Sequence, residues 1–290
     1  MQKSFEGIIN ILKPPGLTSG DVVVKVRGIL RRITGIKHKA GHLGTLDPGA
    51  SGVLPIAVGK ATRLFELLTA RDKKYRAIIT FGTSTDTLDS YGKTDSTSGI
   101  IPSIEELQEV LPRFTGETEQ IPPRYSAVKI NGRKAYELAR KDEEFTIKPR
   151  KVIINSIELI RQVDDKSYMI DINCKGGTYI RSLVGDIAKS LDTVAYMSLL
   201  IRLSAAGLNI SDSKTLDEFA ANPCVTDIGE ALSDMIRYDI DPKYIRELIN
   251  GVRVTLNDMP KDKFVVYIED KPFGIARSDD NKLIVDTRLW

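Results

Sequence analysis

Cysteine and histidine are scarce in this chain, two of each in 290 residues. Cys174 and Cys224 stand far apart with no C-x-x-C spacing, so neither a disulfide framework nor a four-ligand zinc site is expected. His38 and His42 are the only histidines. They leave no two-histidine metal site elsewhere and confine any Ser-His-Asp scheme to their own neighbourhood. Neither G-x-x-x-x-G-K-S/T nor G-x-G-x-x-G occurs, so nucleotide-cofactor signals are missing. The expectation is therefore no metal and no cofactor. No window approaches the roughly 18 consecutive apolar residues of a membrane span. The opening MQKSFEGIIN lacks the apolar core of a signal peptide. No membrane contact and a cytoplasmic location follow as expectations. Internal repeats and low-complexity linkers are also missing.

What is present is an ordinary globular composition, 41% apolar and 28% charged, long enough for one large or two unequal domains. The net charge is only +3, but it is unevenly spread. Between Val22 and Leu46 lie Lys25, Arg27, Arg31, Arg32, Lys37 and Lys39, with no acid among them. Arg71, Lys73, Lys74 and Arg76 surround Tyr75. From Arg124 to Lys151 basic residues again outnumber acids. One such cluster reads as a solvated helix face; three around one glycine-rich segment suit a phosphate-backbone partner.

Along the chain, GIINILKPPG reads as a strand closed by a turn, and Thr18 or Ser19 can cap a helix reaching about Arg32. GVLPIAVG reads as a buried strand, KATRLFELLTA as a helix and KKYRAIITFG as a strand. Ser103 with Glu106 forms a capping box. Asn131-Gly132 marks a tight turn. KVIINSIELIRQV and SYMIDINCKGG are strands, TYIRSLVGDIAKSL a helix opening just after two glycines, and AYMSLLIRLSAAGL strand-like. This is an α+β pattern, with a mixed, largely antiparallel sheet and no regular βαβ alternation. The last fifty or so residues carry a short helix and strands KFVVYIED and KPFGIARS. They bury a poor core alone and are expected to dock on the main body.

The segment GHLGTLDPGASGVLPIAVGKATR, Gly41 to Arg63, holds a single acid, Asp47. Two readings stand. Asp before Pro-Gly is a common turn starter whose carboxylate bonds nearby backbone N–H groups. Alternatively, Asp47 is a nucleophile or general base on a rigid turn, with Gly44 and Gly49 permitting close approach of another chain. A covered carboxylate needs a cation to keep it ionised. Arg181 in KGGTYIRSL offers a planar fork that matches a carboxylate in bidentate fashion; its plainer reading is a surface arginine on an exposed helix face.

These segments, with STDTLDSYG and GGTYIRSL in the same order and spacing, resemble the bacterial tRNA pseudouridine-55 synthases (TruB family). PPRYSAVKINGRKAYELAR resembles that family's RNA-gripping insertion. The resemblance spans roughly residues 5 to 210. It implies a catalytic domain over residues 1–238, an insertion at about 123–151, and a small PUA-like RNA-binding domain over 239–290. By the same resemblance, Asp47 matches the catalytic aspartate, Arg181 its arginine partner and Tyr75 the tyrosine stacked on the target base. Tyr179 matches a substrate-contacting tyrosine, and His42 the histidine that fills the gap left by swung-out T-loop nucleotides. Leu200 falls where the family lines its uracil pocket, although Ile201 replaces the first arginine of the family's Leu-Arg-Arg. Lys37, Lys39, Lys73, Lys74 and Arg133 are candidates for the RNA backbone. The expected partner is the T-arm stem-loop of tRNA, bound by a monomer.

The implied reaction converts uridine to pseudouridine on a flipped-out nucleotide. Asp47 could attack C1′ or the base, or start an elimination at C2′. In each case the ionised carboxylate works, and Arg181 is expected to keep its pKa low. Two rivals remain. A glycosidic-bond hydrolase would need a second carboxylate, with Asp86 and Asp89 as distant candidates. A non-catalytic RNA-binding or tRNA-folding protein would need Asp47 only as a turn residue.

Overall fold

In KKYRAIITF every second residue is apolar or long-stemmed, and the computed structural model, which describes residues 5–290, makes this segment the centre of a nine-stranded sheet. In chain order the first elements are β1 (Gly7–Lys13), α1 (Ser19–Thr34), β2 (Ala40–His42), β3 (Ser51–Val58), α2 (Phe65–Ala70) and β4 (Lys73–Phe81). The sheet runs β1, β3, Ala195–Ala205, β4, Ser167–Cys174, Arg150–Asp164, Gly116–Gln120. Only β3 and Ala195–Ala205 run parallel on this path; the other neighbours are antiparallel.

The parallel contact is tight. Ser51 and Gly52 face Ile201 and Arg202. Gly52 has φ +108°, and a Cβ there would fall 2.3 Å from the Arg202 carbonyl oxygen. Only glycine lets these two backbones meet.

α1 starts where Thr18 caps it: its hydroxyl accepts from Asp21 N while the Asp21 carboxylate accepts from Thr18 N. It stops at Gly35 in the left-handed region. Its Val22, Val23, Val26, Ile29 and Leu30 pack on Ile9, Ile11, Leu54, Ile56 and Val58 of β1 and β3. A second core covers the inner face of β4 with the helix Ile180–Ser190, through Tyr75, Ala77, Ile79, Leu183, Val184 and Ile187.

Gln120 and Arg150 are paired residues on adjacent strands. The chain between them leaves the sheet, makes the hairpin Lys129–Ile130 with Arg133–Lys134 and the helix Ala135–Ala139, and returns beside its point of departure. Asn131 (φ 50°) and Gly132 (φ 84°) form the hairpin turn their sequence calls for.

The C-terminal sheet is separate. It orders Ile236–Asp239, Phe264–Ile268, Lys271–Asp279, Lys282–Arg288 and Val254–Thr255. The first of these straddles the boundary expected at 238/239 and pairs in parallel with Phe264–Ile268. This unit docks on the main body: Val265, Ile275 and Leu289 share a buried cluster with Ile8, Leu43 and Ala57. Arg63 donates to the Arg288 carbonyl at 2.8 Å.

Candidate active site

Asp47 sits in a turn whose every flank is tied down. Ala50 N donates to Asp47 O at 3.1 Å, closing Asp47-Pro48-Gly49-Ala50. On one side, the buried Ser19 hydroxyl both accepts from Leu46 N (2.8 Å) and donates to Leu46 O (2.9 Å). On the other, Pro48 O accepts from Gly16 N at 2.8 Å and from Lys13 Nζ at 3.2 Å. Beneath the turn lies Arg202, fully buried, donating from Nε to Val53 O (2.7 Å), from Nη2 to Gly44 O (3.0 Å) and from Nη1 to Thr45 O (3.3 Å). Both faces of Gly49 matter less than expected for a second chain. It is the ring of Tyr91, from this same chain, that a Cβ on Gly49 would strike.

The carboxylate resolves the two readings of Asp47. Among the described residues no backbone N–H donates to it; instead it faces Arg181, with Nε to Oδ2 at 2.9 Å. Arg181 is 5% exposed, which removes the surface-arginine reading. Its fork is not bidentate on Asp47, however. Nη1 donates to Thr87 O at 3.0 Å and Nη2 to Tyr125 O at 2.9 Å. Nη1 also lies 3.8 Å from Asp89 Oδ2. One guanidinium thus ties together the Asp47 turn, the Thr87–Asp89 loop and the root of the excursion after Gln120.

The expectation that Arg181 leaves Asp47 with a low pKa is corrected. Protein atoms crowd the recess, and this desolvation outweighs Arg181 and raises the carboxyl above the ordinary aspartate value; Asp89 pushes the same way. The side chain nonetheless keeps 36% of its surface open. A raised but solvent-reachable carboxyl is a better proton acceptor than a fully stabilised one.

Tyr75 and Leu200 are nearly covered, at 7% and 8%, on the inner face of the sheet below the Asp47 turn. Tyr75 pairs with Arg202 across the strands and Leu200 with Ala77. Burial raises the Tyr75 phenol pKa, and Arg202 opposes that rise. Tyr179 caps the start of the arginine's helix, its backbone held by both atoms of the Gln120 amide at 2.8 and 3.0 Å. His42 is half-buried, with Nδ1 buried and unpartnered. Its pKa is lowered by burial, with Arg202 adding to the effect.

The cationic candidates divide. Lys37 and Lys39 are exposed and line a cleft beside α1. Arg133 is half-exposed, but both Nη atoms lie on Glu143, at 2.9 and 2.7 Å. Lys73 is corrected. Lys73 is 6% exposed and caps α2 by donating to Thr69 O and Arg71 O; burial lowers its pKa to about 8. Strand alternation sends Lys74 to the face opposite Tyr75, beside Asp171 at 3.9 Å. Arg76 also bonds Asp171, and Arg71 bonds Asp234. The whole second basic cluster is engaged with the protein itself.

Sequence reasoning missed three residues. Arg202 was not weighed, although it stands at the second arginine of the Leu-Arg-Arg pattern that Ile201 interrupts. Lys13, fully buried with its pKa lowered to about 8 chiefly by burial, looked like the end of a strand. Asp89 was weighed only as a hydrolase's second acid.

Comparisons with known proteins bear on this geometry. Residues 31–180 match the model of the TruB family pseudouridylate synthase N-terminal domain. A protein named tRNA pseudouridine synthase B from Caldanaerobacter subterraneus subsp. tengcongensis is 45% identical over 258 residues, 88% of each chain. Its namesake from Clostridium kluyveri is 39% identical over 285 residues, 95% of this chain and 96% of its own. Among solved structures, a Cbf5-Nop10-Gar1 complex aligns with TM-score 0.72 at 24% identity, covering 98% of this chain and 85% of the matched one; at that identity it bears on the fold alone.

Proposed function

The chain belongs to the TruB family of pseudouridylate synthases, and from that premise we propose that Asp47 is the group that reacts with the target uridine and Arg181 the cation that aims it. The reaction is the isomerisation of uridine to pseudouridine in tRNA. The C1′–N1 bond breaks, the uracil turns, C5 joins C1′, and the C5 proton leaves while N1 takes up a proton. We take the target to be position 55 of the T loop.

The observation that carries the assignment is the orientation of one side chain. An aspartate placed for turn formation would bond its own backbone. This one gives its oxygen to a buried arginine at 2.9 Å and keeps a third of its surface open. Tyr75 supplies the ring on which the flipped base would stack, and Leu200 an apolar wall beside it. The orphaned Nδ1 of His42 gains a partner when a nucleotide arrives. Tyr179 borders the same opening.

The division of labour follows. Residues 1–238 are proposed to carry the chemistry, the excursion at about 123–151 to grip the T arm, and 239–290 to bind RNA further along. The chain is proposed to work as a monomer. A tRNA substrate supports a cytoplasmic site of action. No helix among the described residues is long and apolar enough to cross a membrane.

The test is incubation with a T-arm transcript. Pseudouridine should form with the native protein and fall by at least about a thousandfold in Asp47→Asn, with RNA binding retained. Release of free uracil would indicate a hydrolase, and binding without covalent change an RNA-folding protein.

A further inference from the structure

Gly49 is a glycine for reasons of space, not of backbone. Its φ lies outside the left-handed region, so the turn Asp47–Ala50 does not require it. A Cβ there would strike Cε2 and Cδ2 of Tyr91, the latter at 2.7 Å. The ring therefore sits directly on the backbone of the turn, two residues from Asp47. The ends of a four-residue turn lie within about 7 Å of each other, so ring and carboxylate are neighbours.

The loop that carries Tyr91 is tied down throughout. Its stem is closed by Asp86 N on Lys93 O at 3.1 Å and by Lys93 N on Asp86 Oδ1 at 2.9 Å. Inside it, Asp89 Oδ1 accepts from Tyr91 N at 3.0 Å and from Thr87 Oγ1 at 2.7 Å, and Asp89 O accepts from Thr85 Oγ1 at 2.6 Å. Leu88 is held in the left-handed region at φ 59°, where a leucine stays only if its surroundings impose it. Its N–H donates to Thr85 O and its carbonyl accepts from Met197 N, each at 3.0 Å.

On this support stands an aromatic side chain that is 68% exposed, the most exposed large apolar residue among those described. Single solvated aromatics are common, but the bonded loop and the glycine beneath hold this one in one place. A ring with one side on backbone and the other open is a stacking surface. The charges around it decide what it can receive. Asp47 and Asp89 stand beside it and share one guanidinium, Arg181. A phosphate is repelled there, and the neutral π-face of a base is not.

We propose that Tyr91 is a second stacking platform, which receives the base of a nucleotide adjoining the target uridine and so holds the strand open while the uridine lies on Tyr75. The proposal rests on the reading of Asp47 as the reacting group and goes beyond it by giving the neighbouring base a place. A nucleotide bonded to the one at Asp47 leaves the recess past Gly49, where the ring lies.

A double-mutant cycle between protein and RNA tests it, with the full chain and T-arm transcripts. Tyr91→Ala should raise Kd for the complete transcript about five- to thirtyfold, the worth of one base–aromatic stack, and Tyr91→Phe should stay within about twofold of native. Melting temperatures should hold, because the side chain is mostly exposed. Two further transcripts carry an abasic ribose in place of the nucleotide 5′ or 3′ of the target. On one of them the native chain and Tyr91→Ala should bind alike, since the base that the ring receives is missing. A Kd within about twofold of native for Tyr91→Ala on the complete transcript overturns the proposal, with or without a slower single-turnover rate. A slower rate alone would make the ring a prop of the Asp47 turn. An undiminished loss on both abasic transcripts also overturns it, because the ring then touches another part of the RNA. Native-like activity in Asp47→Asn would instead remove the catalytic reading and leave the coupling standing, because the coupling is read from binding and not from turnover.

Discussion

Arg181→Met removes a guanidinium that is 5% exposed and makes an ion pair and two carbonyl bonds, to Asp47, Thr87 and Tyr125. Two costs follow. Breaking a buried pair costs about 3–5 kcal/mol, and the lower end applies because Asp47 retains 36% of its side-chain surface. If Asp47 carries the chemistry as proposed, the chemical step loses both orientation and a positive charge beside that carboxylate, a loss on the order of 10²- to 10³-fold in rate. Arg181→Lys keeps the charge, but one ammonium cannot reach three acceptors arranged for a planar fork, so it should fall between Met and native. The pH profile supplies a further sign. Burial and Asp89 raise the Asp47 pKa, and Arg181 is the largest influence opposing them. Without it the carboxyl titrates higher still, and the acid limb of the rate profile moves to higher pH. Single-turnover kinetics with a T-arm RNA carrying tritium at uridine C5 measures rate and affinity separately. Should Arg181→Met bind RNA much more weakly yet keep the native single-turnover rate, Arg181 is a phosphate contact and Asp47 has no cationic partner.

Arg202→Met should destabilise by about 3 kcal/mol or more in urea titration, since Val53, Gly44 and Thr45 carbonyls lose their donors, and it should also slow the chemical step by loosening the turn. Ser19→Ala strips both backbone groups of Leu46 of their partner and should cost about 2 kcal/mol with a measurable loss of rate; an unchanged melting temperature would mean that water replaces the hydroxyl. Lys13 and Lys73 have pKa values lowered from 10.5 to about 8 by burial. The unfolded chain binds more protons between those values, so their contribution favours folding increasingly as pH rises from about 8 to 10.5. Native protein should therefore gain stability relative to Lys13→Met as pH rises from about 8 to 10.5, and parallel curves over that range would show that Lys13 titrates normally.

The parts of this molecule legible in its sequence are those governed by short-range rules. Thr18 and Ser103 cap helices because the capping box is a local pattern. Asn131-Gly132 turns because only such residues accept both positive φ values. KKYRAIITF is a strand because its apolar period is two. The Asp47–Arg181 pair was reached from side-chain chemistry, a covered carboxylate needing a cation, and then from motif resemblance, since 134 positions separate the partners and no local rule joins them. Lys73 was misread because charge counts ignore strand alternation, which turned it inward and left its neighbour Lys74 exposed on the far face. Arg202 was passed over for the opposite reason: an arginine between Ile201 and Leu203 looks like an interruption of a strand, and its role exists only once β3 has folded alongside.

The excursion that starts after Gln120 and ends before Arg150 begins and finishes on neighbouring strands. Its ends are held together whatever lies between them, so its length changes the free energy of the fold only by the slowly growing entropy of closing a longer loop. The outer part, hairpin and helix included, is in this sense an exchangeable cassette, open to grafting or trimming without shifting the register of the sheet. The base of the cassette is not exchangeable. Ile121 O accepts from Ser182, and Tyr125 O accepts from Arg181, the same guanidinium that meets Asp47. An altered cassette that preserves residues up to Tyr125 keeps the carbonyl that holds Arg181; one cut a few residues closer to the sheet takes away a support of the arginine that faces Asp47.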